Sequence, residues 1–185
     1  MGICLTPRRS TQAKSQYATA EDFHKLFADD MASLYLLAFL LTASHEKAEQ
    51  CFVSGIEDCA QGSSVFQQWA RSWARRVIIQ NAVRTITPRP RFEDRSIYEF
   101  PSAVARDVRK PDQDVAWAGV LALGDFERFV FVVSVLEGYR DRECATLLGC
   151  TVLEVGHART RALQQIADFG RTSIQPANEI SRMVG

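Results

Sequence analysis

The chain lacks any apolar run long enough to cross a bilayer; its longest, Leu34 to Leu41, is far shorter than a membrane-spanning helix requires. Residues 1–18 carry no long apolar stretch of the kind a secretory signal needs, so the cytoplasm is the expected location and no membrane partner is expected. Cysteine usage offers no sign of crosslinking. The five thiols, at 4, 51, 59, 144 and 150, make an odd number with no Cys-x-x-Cys spacing, which argues against a disulfide framework or a zinc site and for a reducing compartment. Histidine is scarcer still: His24, His45 and His157 are widely separated, and no phosphate-binding glycine loop, nucleophile elbow or metal-ligand cluster accompanies them. No catalytic residue, metal or cofactor is therefore expected, and the adjacent pairs Asp29-Asp30 and Glu57-Asp58 read as solvated helix faces. Net charge is also missing, with 22 basic residues against 22 acidic ones. Any affinity for nucleic acid must then come from the placement of charge rather than its total.

That placement is uneven. Between Asp58 and Glu93 there is no acidic residue, while Arg71, Arg75, Arg76, Arg84, Arg89 and Arg91 all fall there. Acidic side chains gather in Glu21 to Asp30 and Glu46 to Asp58. Hydrophobic content of 46% in 185 residues is enough for real cores, and the pattern gives two helical blocks and a linker. Thr19 with Asp22 reads as a helix start, and Phe23, Leu26, Phe27, Met31, Leu34, Leu37, Ala38 and Leu41 come after it at helical spacing. The end of that helix is apolar almost all round, so neighbours must cover it on several sides. Ser44 can cap a second helix with Ala48, Cys51, Phe52, Gly55, Ile56 and Cys59 inward, and Glu46, Lys47, Glu49, Gln50, Ser54 and Glu57 outward. After a Gly62-Ser63-Ser64 turn, a third helix from about Val65 to Ile86 buries Phe66, Trp69, Ala70, Trp73 and Val77, the arginines lying on its other faces.

From Thr87 to about Asp114 the periodicity fades, and Pro88, Pro90, Pro101 and Pro111 interrupt any regular element, which reads as a linker. Helical patterning resumes over Asp114 to Leu123. Asp125 then caps a longer helix ending at Gly138, with Phe126, Phe129, Val130, Val133 and Leu136 on its core face. The expected fold is thus all-α, with two small helical domains, 19–86 and 114–169, joined by a flexible linker at 87–113 and ending in a loose tail.

Residues 139 to 166 are the most informative stretch. A first short helix, Asp141 to Leu148, ends at Gly149, which can take a positive φ at little cost. Arg140 before it offers no side-chain cap. Thr151 caps a second helix, and Glu154 three residues on completes a capping box. Small Ala145 lets the helices cross closely, Val155 sits between them, and Cys144, Leu148, Val152 and Leu163 complete the expected seam. His157, Arg159, Thr160 and Arg161 form the expected outward face of the second helix. This is the layout of a helix-turn-helix, whose second helix lies in a DNA major groove. An ordinary helical hairpin with a basic surface is the other reading of the same residues.

The run from Phe126 to Tyr139, together with Cys144-Ala-Thr-Leu-Leu-Gly-Cys-Thr, resembles region 4 of the sigma-70 family of bacterial RNA polymerase sigma factors, especially the extracytoplasmic-function type. In the first block, Leu34-Tyr-Leu-Leu-Ala-Phe-Leu-Leu-Thr, His45-Glu-Lys-Ala-Glu and Trp69-Ala-Arg-Ser-Trp-Ala-Arg-Arg are similar to the three helices of region 2. The resemblance implies transcription initiation, with promoter DNA and core RNA polymerase as partners and an anti-sigma factor as a further candidate. Region 2 would bind the polymerase clamp and open the −10 element; region 4 would read the −35 element. An aromatic and arginine-rich helix suits single-stranded DNA, which assigns Arg75, Arg76, Gln80, Asn81 and Arg84 to promoter opening. The outward residues Glu46, Glu49, Gln50 and Ser54 become the candidates for polymerase contact. The chain departs from the family where the clamp-binding signature usually continues Asp-Leu-Val-Gln, having Gln50-Cys-Phe-Val-Ser-Gly instead. Gly156-His157-Ala158 also stands where Lys-Ser-Arg is common. A stand-alone DNA-binding regulator, or an interaction module that does not bind polymerase, is the alternative these departures leave.

Overall fold

A computed structural model describes residues 16–61, 64–90 and 114–174 of the chain. Among them every regular element is helical, and the only extended pairing is an isolated bridge between Tyr17 and Phe66. The first block comprises α1 (Ala20–Asp29), α2 (Met31–Thr42), α3 (His45–Gln61) and α4 (Ala70–Ile86). The second comprises α5 (Asp114–Leu121), α6 (Asp125–Phe131), α7 (Asp141–Leu148) and α8 (Val152–Ile174).

The expected start at Thr19 forms in full. The Thr19 N–H and hydroxyl both donate to the Asp22 carboxylate, at 2.8 and 2.9 Å, and the Asp22 N–H returns a bond of 3.2 Å to the Thr19 hydroxyl. The single long helix expected from this start is instead two, α1 and α2. The chain turns at Asp30, whose carboxylate is paired with Arg71 of α4, a partner distant in sequence. Turning there also takes Met31 out of the core; it is exposed. The nearly all-apolar α2 is covered as its composition requires, by α1, α3 and α4 and, from the second block, by α5 and α6. Phe23, Phe27, Leu34, Leu41, Ile78 and Ile79 are fully buried between these helices. Each such side chain contributes roughly 1.5–3 kcal/mol of transfer free energy.

In α3 the inward and outward sets fall where the sequence places them, with Cys51 and Cys59 buried as small core residues. Burial, with the neighbouring Asp58 charge, pushes the Cys59 thiol up to about 12. Gly55 permits the close approach of α4: a Cβ there would stand 2.7 Å from Ile78 Cδ1. The third helix starts later than expected. Residues Gln67–Trp69 form a 3-10 turn and α4 begins at Ala70, which leaves Trp69 56% exposed and Phe66 and Trp73 half-buried rather than in the core.

The second block is built on Phe126, Phe129, Val130, Val132, Val133 and Val155, all fully buried. The helix expected to run from Asp125 to Gly138 is α-helical only to Phe131. It continues as a π turn, Val132–Leu136, and this rewinding exposes Leu136. Its cap position is Gly124, not Asp125, whose carboxylate instead takes a 2.5 Å bond from Arg128. Helix α7 has the expected bounds, and α8 runs past Phe169 to Ile174, beyond the expected end of the block. Val152 and Leu163, expected in the seam, are about half exposed; Cys144, Ala145, Leu148, Val155, Ala158 and Ala162 fill it instead.

The two blocks touch. Arg128, almost wholly buried, donates to the Leu41 carbonyl at the end of α2 (3.3 Å) and to the Leu123 carbonyl (2.9 Å). Arg75 of α4 forms a two-pronged pair with Glu137, Nε to Oε2 at 2.7 Å, and also donates to the Ser33 hydroxyl at 2.9 Å. Of the expected linker, residues 91–113 lie outside the described residues, as does the tail from 175 onward.

Candidate nucleic-acid interface

Two surfaces collect the residues singled out by sequence. The first is the hairpin of α7 and α8. Gly149 adopts φ +65° between them, and the N–H of Cys150 returns to the Ala145 carbonyl at 3.0 Å, which closes the end of α7. At the other end of α7 the Arg140 guanidinium offers no acceptor atom, so only the reciprocal half of a box forms: the Arg140 N–H donates to Glu143 Oε2 at 2.8 Å. At the start of α8 the box is complete. The Thr151 N–H and hydroxyl donate to Glu154 Oε2 at 2.7 and 2.8 Å, and the Glu154 N–H donates back at 3.2 Å. Those bonds to the charged carboxylate hold Glu154 below its ordinary pKa.

The outward face of α8 is not the one expected. Arg159 reaches sideways to make a two-pronged pair with Asp141 in the first turn of α7, Nη2 to Oδ2 at 3.1 Å, and that bond raises the guanidinium pKa. Arg161 reaches the opposite way, to the buried Glu127 of α6, with Nε and Nη2 at 3.2 and 2.9 Å from Oε1. Both guanidinium groups brace α8 against its neighbours: they stay partly exposed, but a carboxylate on each flank captures them, so neither is the free cation expected of an outward face. His157 and Thr160 are exposed as expected, the Thr160 hydroxyl donating to the Gly156 carbonyl at 3.0 Å. The face also contains Leu153 and Gln164, which sequence reasoning missed. Counting 100° per residue from the Thr151 cap would have found them, because positions 153, 157, 160 and 164 fall within an arc of about 60°. At the start of α7, Arg140 and Arg142 are exposed and enter no ion pair among the described residues.

The second surface is α4. Its five expected residues separate. Asn81 is buried and donates to Asp58 at 3.2 Å, and Arg84 donates to the Asn81 side-chain oxygen Oδ1 at 3.1 Å and to Asp58 at 3.4 Å; both therefore hold α4 to α3. Arg75 is committed to Glu137, whose bonds raise its pKa. Gln80 is half-buried, and Arg76, one turn before it on α4, is exposed. Only Arg76 joins the aromatic residues as expected: it lines a cleft of about 420 Å3 together with Phe66, Trp69, Trp73 and, from the second block, Tyr139. The Trp69 ring meets Phe66 edge-on at 5.3 Å, and Phe66 in turn stacks on Tyr17 at 4.8 Å. The four polymerase candidates on α3, Glu46, Glu49, Gln50 and Ser54, are all exposed, and Val53 beside them is exposed as well.

Among the described residues no group of His, Cys, Asp and Glu could hold a metal ion, and no helix is long and apolar enough to cross a membrane. The described residues thus define an all-helical chain with an aromatic cleft and a tightly capped helical hairpin. No protein-family model and no curated protein matches the chain. Among solved structures it is similar to the sigma factor RpoE in complex with the anti-sigma factor NepR from Bartonella quintana. The identity is 16%, the match covers 82% of this chain and 98% of that one, and the TM-score is 0.46.

Proposed function

We propose that this chain is a bacterial transcription initiation factor of the extracytoplasmic-function sigma type, working in the cytoplasm without catalysis or cofactor. The observation that carries the reading is the α7–α8 hairpin, with Gly149 in the left-handed region and a complete Thr151–Glu154 box at the start of α8. A capped hairpin turned at a glycine supports the reading as a helix-turn-helix, a motif in which the second helix enters the major groove while the first crosses the backbone. Arg140 and Arg142, at the start of the first helix, suit phosphate contacts, which position a protein on DNA without reading sequence.

The cleft on α4 supports the other half of the reading. Single-stranded bases stack on flat side chains while cations follow the backbone, and Trp69, half exposed beside Arg76, offers both. The exposed Glu46, Glu49, Gln50 and Ser54 of α3 suit a rim contact with a basic polymerase surface. Rim charges act mainly on association rate and its salt dependence. Association with core RNA polymerase should therefore be faster at low salt and slower for Glu49→Lys, measured by kinetic binding at two salt concentrations. No association at either favours the second reading, a stand-alone DNA-binding regulator. The departure at Gln50-Cys-Phe-Val-Ser-Gly supports that alternative, since Cys51 and Gly55 there are buried against the first block and unavailable to any partner.

A further inference from the structure

We infer that the first turn of α8 is a thymine-reading surface, with Leu153 packing on the C5-methyl group of a thymine in the major groove and no arginine reading guanine. This rests on the proposal that α8 enters a groove. Leu153 is the most exposed of the large apolar side chains described, at 68%, and Val152 beside it is 45% exposed. Both stand in a turn fixed by three hydrogen bonds of the Thr151–Glu154 box, so their exposure belongs to an ordered element.

The chemistry available along the face narrows what it can read. Bidentate recognition of guanine O6 and N7 takes a free guanidinium or ammonium, and apolar side chains meet only the thymine methyl in the major groove. Arg159 and Arg161 are each committed to a carboxylate on the flanks. The residues left pointing outward are Leu153, His157, Thr160 and Gln164, none with a permanent charge. Arg140 and Arg142, exposed at the start of α7 on the same hairpin, supply positive charge that complements phosphate. An exposed leucine on a hairpin that also presents unpaired cations suits a duplex, whose phosphates those cations complement.

The test is a selection from a random duplex library by the full chain, alone and with core RNA polymerase, and then replacement of each thymine in the enriched site with deoxyuridine. Deoxyuridine removes only the methyl group. One position should weaken binding about fourfold, the effect of one buried methyl group. Leu153→Ala should bind the thymine site more weakly and show no difference between thymine and deoxyuridine at that position. Since Leu153 is exposed, the variant should melt with the parent. Full deoxyuridine sensitivity in Leu153→Ala, or none at any position in the parent, overturns the inference while leaving duplex binding intact. So does loss of a guanine preference in Arg159→Ala. Failure to enrich any duplex in either condition overturns the groove-binding reading as well. A change in self-association of Leu153→Ala with unchanged duplex binding assigns the patch to a second copy of the chain and overturns the inference.

Discussion

Replacing Arg161 with alanine separates a brace from a DNA contact. Its guanidinium donates two hydrogen bonds to Glu127, whose side chain is 11% exposed, while that of Arg161 is 36% exposed. Truncating one partner of a fully buried ion pair costs about 3–5 kcal/mol, because the other charge is left uncompensated. An exposed pair is worth about 0–1 kcal/mol. With one partner buried and the other partly screened, Arg161→Ala should cost about 2 kcal/mol. In a chain of this length that corresponds to a fall in Tm of about 4–8 °C by differential scanning calorimetry. Glu127→Gln in the same chain removes the stranded charge and should restore part of the loss, because a neutral amide is far cheaper to bury than a carboxylate. A single variant that melts with the parent yet binds duplex tenfold more weakly would refute the reasoning, since the guanidinium would then be free to meet DNA.

The packing and the caps lead to three further expected outcomes. Gly55→Ala gains up to about 1 kcal/mol of helix propensity but forces a Cβ against the fully buried Ile78, an overpacking cost of about 1–3 kcal/mol, so urea melts should show net destabilisation. Trp69→Ala should cost only about 1 kcal/mol, its edge-on contact with Phe66, rather than the 3–5 kcal/mol or so of a core aromatic, while weakening binding to a single-stranded oligonucleotide about tenfold. The Asp22 and Glu154 carboxyls are held below their ordinary values of 3.8 and 4.5, chiefly by backbone N–H bonds from Thr19 and Thr151. A folded-state pKa below the unfolded one adds stability above the ordinary value and loses it as pH falls through the lowered one. Thermal melts should therefore weaken as the solution is taken from neutral to about pH 3, and Thr151→Ala should lose part of that acid sensitivity together with about 1 kcal/mol at neutral pH.

The parts legible in the sequence are those whose causes are local. The boxes at Thr19–Asp22 and Thr151–Glu154, the bounds of α7, the turn at Gly149 and the inward stripe of α3 each depend on residues within a few positions of one another. The hidden parts depend on partners far along the chain. Only Asp30 itself, a residue type common at helix starts, marks the break in a long apolar helix; no glycine or proline stands there, and the Arg71 that pairs with it lies on α4. The arginines of α4 and α8 read as a free basic surface because their carboxylate partners, Glu137, Asp141 and Glu127, come from other helices. Trp69 has the spacing of a core residue and leaves the core only because a 3-10 turn delays the start of α4. Counting basic residues therefore overstated the free basic surface of α4 and α8, and the angular position of each side chain describes the exposed face of α8 better.

The central claim is that this chain directs RNA polymerase to promoters. Its most direct test is run-off transcription by core RNA polymerase on a promoter library, with and without the protein. Discrete transcripts that appear only with the protein, share an upstream element and disappear with α8 face variants are the predicted result. Polymerase that binds the chain but starts nowhere specific, or transcripts unchanged by its addition, would contradict the claim.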